Sequence, residues 1–119
     1  MKPIEIFEKA QIHSYGIGQF NISTDEQIIA AVEAAKELNS PIIIGTSEGE
    51  REFIGIEQVV ALIKTWKEKT GLPIILHADH CKTFESVKEV VDAGYDSVHF
   101  DGSKLPFEEN VRITKRVIE

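Results

Sequence analysis

Pro41-Ile-Ile-Ile-Gly-Thr-Ser47 and Leu72-Pro-Ile-Ile-Leu-His77 are the two stretches on which the fold turns. Each is a short aliphatic run, rich in β-branched residues and closed by polar ones, which is the composition of a strand buried on both faces of a parallel sheet. Two further runs flank them. Tyr15-Gly-Ile-Gly-Gln-Phe-Asn21 reads as a first strand, and Asp96-Ser-Val-His-Phe-Asp101 as a fourth, more polar one. The four begin about 25 to 30 residues apart, the spacing of a strand-plus-helix repeat.

The intervals carry helical patterns. Ser23-Thr-Asp-Glu26 has capping-box spacing, with Glu26 placed to reach back toward the hydroxyl residue. Behind it Ile28, Val32, Ala35 and Leu38 recur at near-helical spacing until Asn39-Ser40-Pro41. A second helix is predicted through Val59, Val60, Leu62, Ile63 and Trp66, stopping before Gly71, with Trp66 on its core side and Lys64-Thr-Trp-Lys-Glu-Lys69 forming a solvated face. A third follows Thr83, carries Phe84, Val87, Val90 and Val91, and stops at Gly94. A fourth starts near Pro106 and carries Val111, Thr114, Val117 and Ile118; an opening helix covers about Pro3 to Ile12.

The predicted order is one helix followed by four βα units, which implies parallel strands joined by right-handed crossovers. Four such strands make either a small open sheet or half of an eightfold barrel, a fold that takes roughly 250 residues when whole. No linker-like or low-complexity stretch divides the chain, so residues 1–119 are expected to be one domain or part of one.

Composition narrows the function. Thirteen basic residues against 20 acidic ones give a formal charge of −7, which argues against nucleic acid and anionic membrane as partners. An apolar share of 42% supports a packed core, and no apolar run approaches the roughly 20 residues of a membrane span. The start, Met-Lys-Pro-Ile-Glu-Ile, lacks a signal-peptide core, and the single cysteine, Cys81, permits no internal disulfide. A cytoplasmic location is the expectation.

In parallel α/β folds chemistry gathers at the carboxyl ends of the strands, and the polar residues of this chain gather there too. The four ends hold Asn21, then Ser47-Glu48-Gly49, then His77-Ala-Asp79-His80, then Asp101-Gly-Ser103. His77-Ala-Asp79-His80 is the densest cluster. Imidazole and carboxylate suit Zn²⁺, and a carboxylate beside a bound substrate can move a proton. The histidines could equally hydrogen-bond loop carbonyls while Asp79 caps a helix. Strict alternation places Asp79 and His80 on opposite faces, so a shared site requires the chain to leave extended geometry there. Asp101 fits a second-metal or supporting carboxylate, or simply an Asp-Gly turn. His99, on the same strand face, reads as a hydrogen-bonded interior histidine. Ser47 is a substrate contact or a loop start, and Cys81 a small buried apolar residue.

Gln19-Phe-Asn-Ile22, Ala34-Ala-Lys-Glu-Leu-Asn-Ser-Pro41-Ile, Ser47-Glu-Gly49, Leu76-His-Ala-Asp-His80, and Phe100-Asp-Gly-Ser103 with Leu105-Pro-Phe-Glu-Glu-Asn110-Val follow one another in register with the strand ends. Together they resemble the N-terminal portion of the class II, zinc-dependent fructose-1,6-bisphosphate aldolases and their tagatose-bisphosphate relatives. The resemblance implies the N-terminal half of a (β/α)8 TIM barrel. It also implies reversible cleavage of the ketose bisphosphate, in glycolysis and gluconeogenesis, to dihydroxyacetone phosphate and glyceraldehyde 3-phosphate. By position Asp79 resembles the acid/base residue, His80 a ligand of the catalytic zinc, and Asp101 a ligand of a second cation. Ser47 and Asn21 resemble substrate contacts.

Cys81, His99 and Lys104 stand where many members carry Gly, Met and His. The family's remaining zinc ligands and phosphate loops come from later strands, which this chain does not contain. The isolated chain is therefore expected to be inactive, and to self-associate or to need the complementary half. The alternative function is a non-catalytic half-barrel that assembles with itself.

Overall fold

The structure, a computed structural model, describes residues 1–119. Its elements run α1 (Pro3–Ile12), β1 (Gly18–Asn21), α2 (Asp25–Leu38), β2 (Ile42–Thr46), α3 (Glu48–Ile54), α4 (Ile56–Thr70), β3 (Ile74–Cys81), α5 (Phe84–Ala93), β4 (Ser97–Phe100) and α6 (Phe107–Ile118). The strands form one parallel sheet in the order β1-β2-β3-β4, as successive right-handed βα units require. No helix is long and apolar enough to cross a membrane.

Local chemistry sets the helix limits, with small departures from expectation. The α2 cap is Thr24, one residue later than the capping-box spacing suggests; its hydroxyl accepts from the Gln27 amide at 3.4 Å. Gln27 rather than Glu26 reaches back, accepting from the Ser23 amide at 2.6 Å. Thr83 caps α5 through the Ser86 amide at 3.1 Å, and Gly94 ends that helix at φ 108°, where a side chain would be strained. Helix α3 lies where the sequence suggests only a substrate contact or a loop start at Ser47. Ser47 starts it with a full capping box, accepting from the Glu50 amide at 3.3 Å while Glu50 accepts from the Ser47 amide at 2.7 Å.

The sheet's two faces are packed unequally. On the outer face Ile42, Ile44, Ile74, Leu76 and Ala78 meet α2, α4 and α5 in a core of 15 buried residues, with Trp66 packed at its margin. On the inner face Ile43 and Ile75 meet Ile6 of α1 in a buried cluster of three, with the partly buried Ile17 packed against it. That cluster sits at the end of the sheet where the strands begin. Toward the strand ends the inner face turns polar.

Strand β3 runs four residues past its predicted end at His77 and carries the one irregularity of the sheet. Its register with β4 pairs Ala78 with Val98 and Cys81 with Phe100, so three steps on β3 span two on β4. This is a bulge of one extra residue. Its effect on facing is direct. Leu76 and Ala78 point outward, strict alternation would turn Cys81 inward, and yet Cys81 is fully buried in the outer core. The expectation that Cys81 is a buried small residue holds. The surplus residue lies in Asp79-His80, and His80 adopts a left-handed backbone at φ 52°.

Candidate functional site

The bulge resolves the alternation problem. With His80 left-handed, both Asp79 and His80 reach the polar mouth of the inner face, where His80 Nε2 lies 3.6 Å from Asp79 Oδ1. His77, one pleat below, faces the same side with Nε2 at 3.9 Å from Asp79 Oδ1, and its Nδ1 is 2.7 Å from Ser97 Oγ. Asn21 comes from the end of β1 and donates through Nδ2 to Asp79 Oδ2 at 3.0 Å; Gln19 donates to Asn21 Oδ1 at 3.3 Å.

Gly45 of β2 makes the first of these contacts possible. A Cβ on Gly45 would stand 2.2 Å from Asn21 Oδ1 and 3.1 Å from Gln19 Nε2, so only a bare backbone lets the β1 amides reach across to β3.

From β4, His99 presents Nδ1 at 3.8 Å from Asp79 Oδ1, and its ring packs edge-on against His80 with centroids 4.7 Å apart. His99 is thus an exposed member of the cluster and not the interior residue that the sequence suggested. The signal that could have found it was its register opposite β3 and its shared face with Asp101. Asp101 Oδ2 accepts from His80 Nδ1 at 2.8 Å, and Asp101 Oδ1 accepts from the Ser103 amide at 3.0 Å.

Ser47 is not drawn into this cluster. Its hydrogen bonds stay within the first turn of α3. Beside it Glu48 Oε1 accepts from the Lys82 amide at 3.0 Å and the Ser86 hydroxyl at 3.1 Å, which ties α3 to the loop after β3.

The electrostatics follow these contacts. Burial holds the His77 imidazole below its ordinary pKa, against the pull of Asp79, which favours the neutral ring. His80 is pushed the other way, first by its hydrogen bond to Asp101 and then by the charge of Asp79. Asp101 is held far below the usual carboxylate range by Ser103 first and His80 second. Asp101 and His80 therefore stabilise each other's charged forms.

Asp79, His80 and His99 can each offer one ligand atom, all within 4.8 Å of one another. Two ligands at zinc-like bond lengths subtend a tetrahedral edge of roughly 3.4 Å. The 3.6 and 3.8 Å separations from Asp79 are close to that edge. The donor set, imidazole nitrogen with carboxylate oxygen, also suits zinc. Asp101 occupies the place of a carboxylate that fixes a ligating imidazole through its other nitrogen. His80, with Asp101 behind its ring and Asp79 and His99 beside it, fits a ligand of a divalent cation at this mouth.

A family model for class II fructose-bisphosphate aldolase matches residues 1–119. The chain belongs to the class II fructose-bisphosphate aldolase family. Among curated members, the fructose-bisphosphate aldolase of Helicobacter pylori strain 26695 is 42% identical over 120 residues, covering 100% of this chain and 39% of the relative. That of Geobacillus stearothermophilus is also 42% identical, over 97% of this chain and 41% of the relative. This family chain thus spans about two fifths of the curated relatives it matches. In three dimensions it superimposes on the YdjI aldolase of Escherichia coli K12 with a TM-score of 0.90 and 28% identity, covering 99% of this chain and 46% of that one. The expectation of four βα units from the N-terminal half of an aldolase TIM barrel is met.

Proposed function

We propose that residues 1–119 form one partial domain that supplies the N-terminal half of a zinc-dependent aldolase active site, acting in the cytoplasm on fructose 1,6-bisphosphate. The observation that carries this is the convergence of Asp79, His80 and Asn21, from β1 and β3, on one point of the inner face. Asp79 takes the proton from the C4 hydroxyl as the C3–C4 bond breaks and returns it in condensation. Asn21 orients the Asp79 carboxylate by donating to Oδ2, which leaves Oδ1 turned toward the histidines.

His80 would hold the zinc through Nε2, while Asp101 receives the N–H on Nδ1 and sets the ring's tautomer and angle. A ligating imidazole must be neutral, so the upward push that Asp101 and Asp79 give His80 opposes metal binding and makes it pH-dependent. When bound, zinc supplies Lewis-acid stabilisation of the negative charge left on the ketone half of the substrate. His99 stands close enough to take part in the metal's surroundings, and Asp101 is also the candidate for a second cation. Ser47, at the start of α3, contacts the glyceraldehyde-phosphate end.

Catalytic zinc takes three protein ligands and keeps one open position. The complementary strands of the barrel would complete the set, so the 119-residue chain alone is inactive. A second reading, self-assembly without catalysis, draws on the flanks of the sheet. Phe20 on β1 and Phe107 and Ile118 on α6 are 53%, 81% and 79% exposed, where a closed barrel would have neighbours.

The test is a fusion of residues 1–119 to the remainder of the Geobacillus aldolase, assayed for cleavage of fructose and tagatose bisphosphates. The fusion should cleave fructose 1,6-bisphosphate, lose activity to a chelator and regain it with zinc. Asp79→Asn should lower kcat by about 10²- to 10⁴-fold, the usual worth of a positioned acid/base group. A folded but inert fusion would refute the reading. Preference for tagatose bisphosphate would correct the substrate, and turnover by the 119-residue chain alone would remove the need for a partner half.

A further inference from the structure

Arg51, on α3, is the one charged side chain enclosed by the outer core. It is 3% exposed. A guanidinium cannot lose its charge at accessible pH, and burying a cation is costly unless it is paired. Yet no carboxylate lies within ion-pair distance of Arg51; the ion pairs of the chain are all made elsewhere.

What the side chain meets instead is specific. Nη1 donates to the carbonyl of Thr46 and, at 3.4 Å, to the carbonyl of Asp79, while Nη2 donates to Cys81 Sγ at 3.4 Å. The first acceptor closes β2; the other two bracket His80 on β3. The fork therefore spans the gap between the two strands from the face opposite the site, at the step where the β3–β4 register slips.

At a bulge the ladder is interrupted and the chain is free to relax toward regular pairing. Regular pairing here would return His80 to the outer face and separate it from Asp79. The frame holding Arg51 is itself fixed. The Thr46 hydroxyl and the Tyr95 hydroxyl, both buried, are 2.9 Å apart, and the Ser47 capping box anchors the helix that carries Arg51.

We propose that Arg51 is a positioning residue: it pins the β3 bulge from behind, so that Asp79 and His80 emerge together at the mouth of the inner face. The inference rests on Asp79 and His80 being the reacting pair. Arg51 touches neither substrate nor metal in this scheme. A lysine keeps the charge but offers a single donor head, which cannot span the three acceptors.

Two readouts separate positioning from bulk stability. In the 119-residue chain, His80 should give the strong intraresidue HN–Hα nuclear Overhauser effect of a left-handed residue. Arg51→Lys and Arg51→Met should weaken or abolish it while the amide pattern of the sheet persists. In the Geobacillus fusion, Arg51→Lys should lower kcat on the order of ten- to a hundredfold with KM for fructose 1,6-bisphosphate nearly unchanged, as expected for a displaced reacting group.

If Arg51→Met fails to fold, Arg51→Lys decides. A Lys variant that keeps the His80 signature and full kcat per folded molecule, with only a lowered melting temperature, overturns the proposal. Global unfolding of the Lys variant does the same, because it marks a general structural role. If the fusion carrying Arg51 is itself inactive, the catalytic reading has failed, and the His80 signal in the shorter chain still decides whether Arg51 holds the bulge.

Discussion

Ile43 and Ile44 are adjacent on β2, equal in size and opposite in circumstance. Ile44 points outward into a core of 15 buried residues and is fully enclosed; Ile43 points inward into a cluster of three and is 9% exposed. The same backbone thus carries two unlike surfaces. The outer one is apolar along its length and holds the sheet to its helices. The inner one is apolar only where the strands begin and polar where they end, with Gln19, Asn21, His77, Asp79 and His99 in place of aliphatic side chains. Stability is concentrated on one face and reactive groups on the other, so substitutions on the two faces should be separable.

The strongest challenge to that division is a pair of truncations. Ile44→Ala should lower the unfolding free energy by about 3–5 kcal/mol, and Ile43→Ala by about 2 kcal/mol, because a cavity at the open inner face collapses more easily. Urea titration of both variants measures the gap, and equal losses would mean that the faces contribute alike. Gly45→Ala sharpens the comparison at the inner face. The new methyl collides with Asn21 Oδ1, the tip of a flexible and exposed side chain that can swing away, so the loss of stability is small. The distinctive outcome is the loss of the Asn21–Asp79 hydrogen bond, visible as a shifted Asn21 side-chain amide resonance; an unmoved resonance would show that Gly45 is not what admits the contact.

The smallest effect concerns pH. The Lys82 amide holds the Glu48 carboxyl below its ordinary value of 4.5; burial opposes it and the Ser86 hydroxyl adds a lesser pull in the same direction as Lys82. A depressed carboxyl stabilises the fold above its unfolded pKa and loses that contribution as pH falls through the folded value. The melting temperature of the native chain should therefore fall more steeply below about pH 4.5 than that of Glu48→Gln. Parallel curves would show that this tie between α3 and the β3 loop adds nothing.

Much of this was legible in the residues. The isoleucine runs announce β2 and β3, the four-βα order follows from spacing, and Thr83 and Gly94 mark the ends of α5. What could not be read was geometry that carries no residue signature. A bulge at Asp79-His80 brings no glycine, so alternation alone put the two residues on opposite faces, although the need for a departure from extended geometry was evident. Helix α3 has few apolar residues in Glu48–Ile54 and so gives weak periodicity, although Ser47-Glu-Gly-Glu50, which reads as a substrate contact or a loop start, has the spacing of a capping box. His99 reads as a hydrogen-bonded interior histidine because parity gives its facing, whereas its proximity to Asp79 and His80 depends on register. Arg51 gave no hint at all: a charged residue in a polar helix looks solvated until the strands are placed behind it.

His80 stands in a backbone region that disfavours every residue carrying a Cβ, by roughly 1 kcal/mol or more. Glycine would sit there in comfort, and alanine would not. If so, His80→Gly should yield a sturdier molecule than His80→Ala, an inversion of the usual ranking. The imidazole stands at a spot where the main chain would prefer no side chain, and the difference between those two replacements weighs, in thermal terms, what the protein forgoes to hold it there.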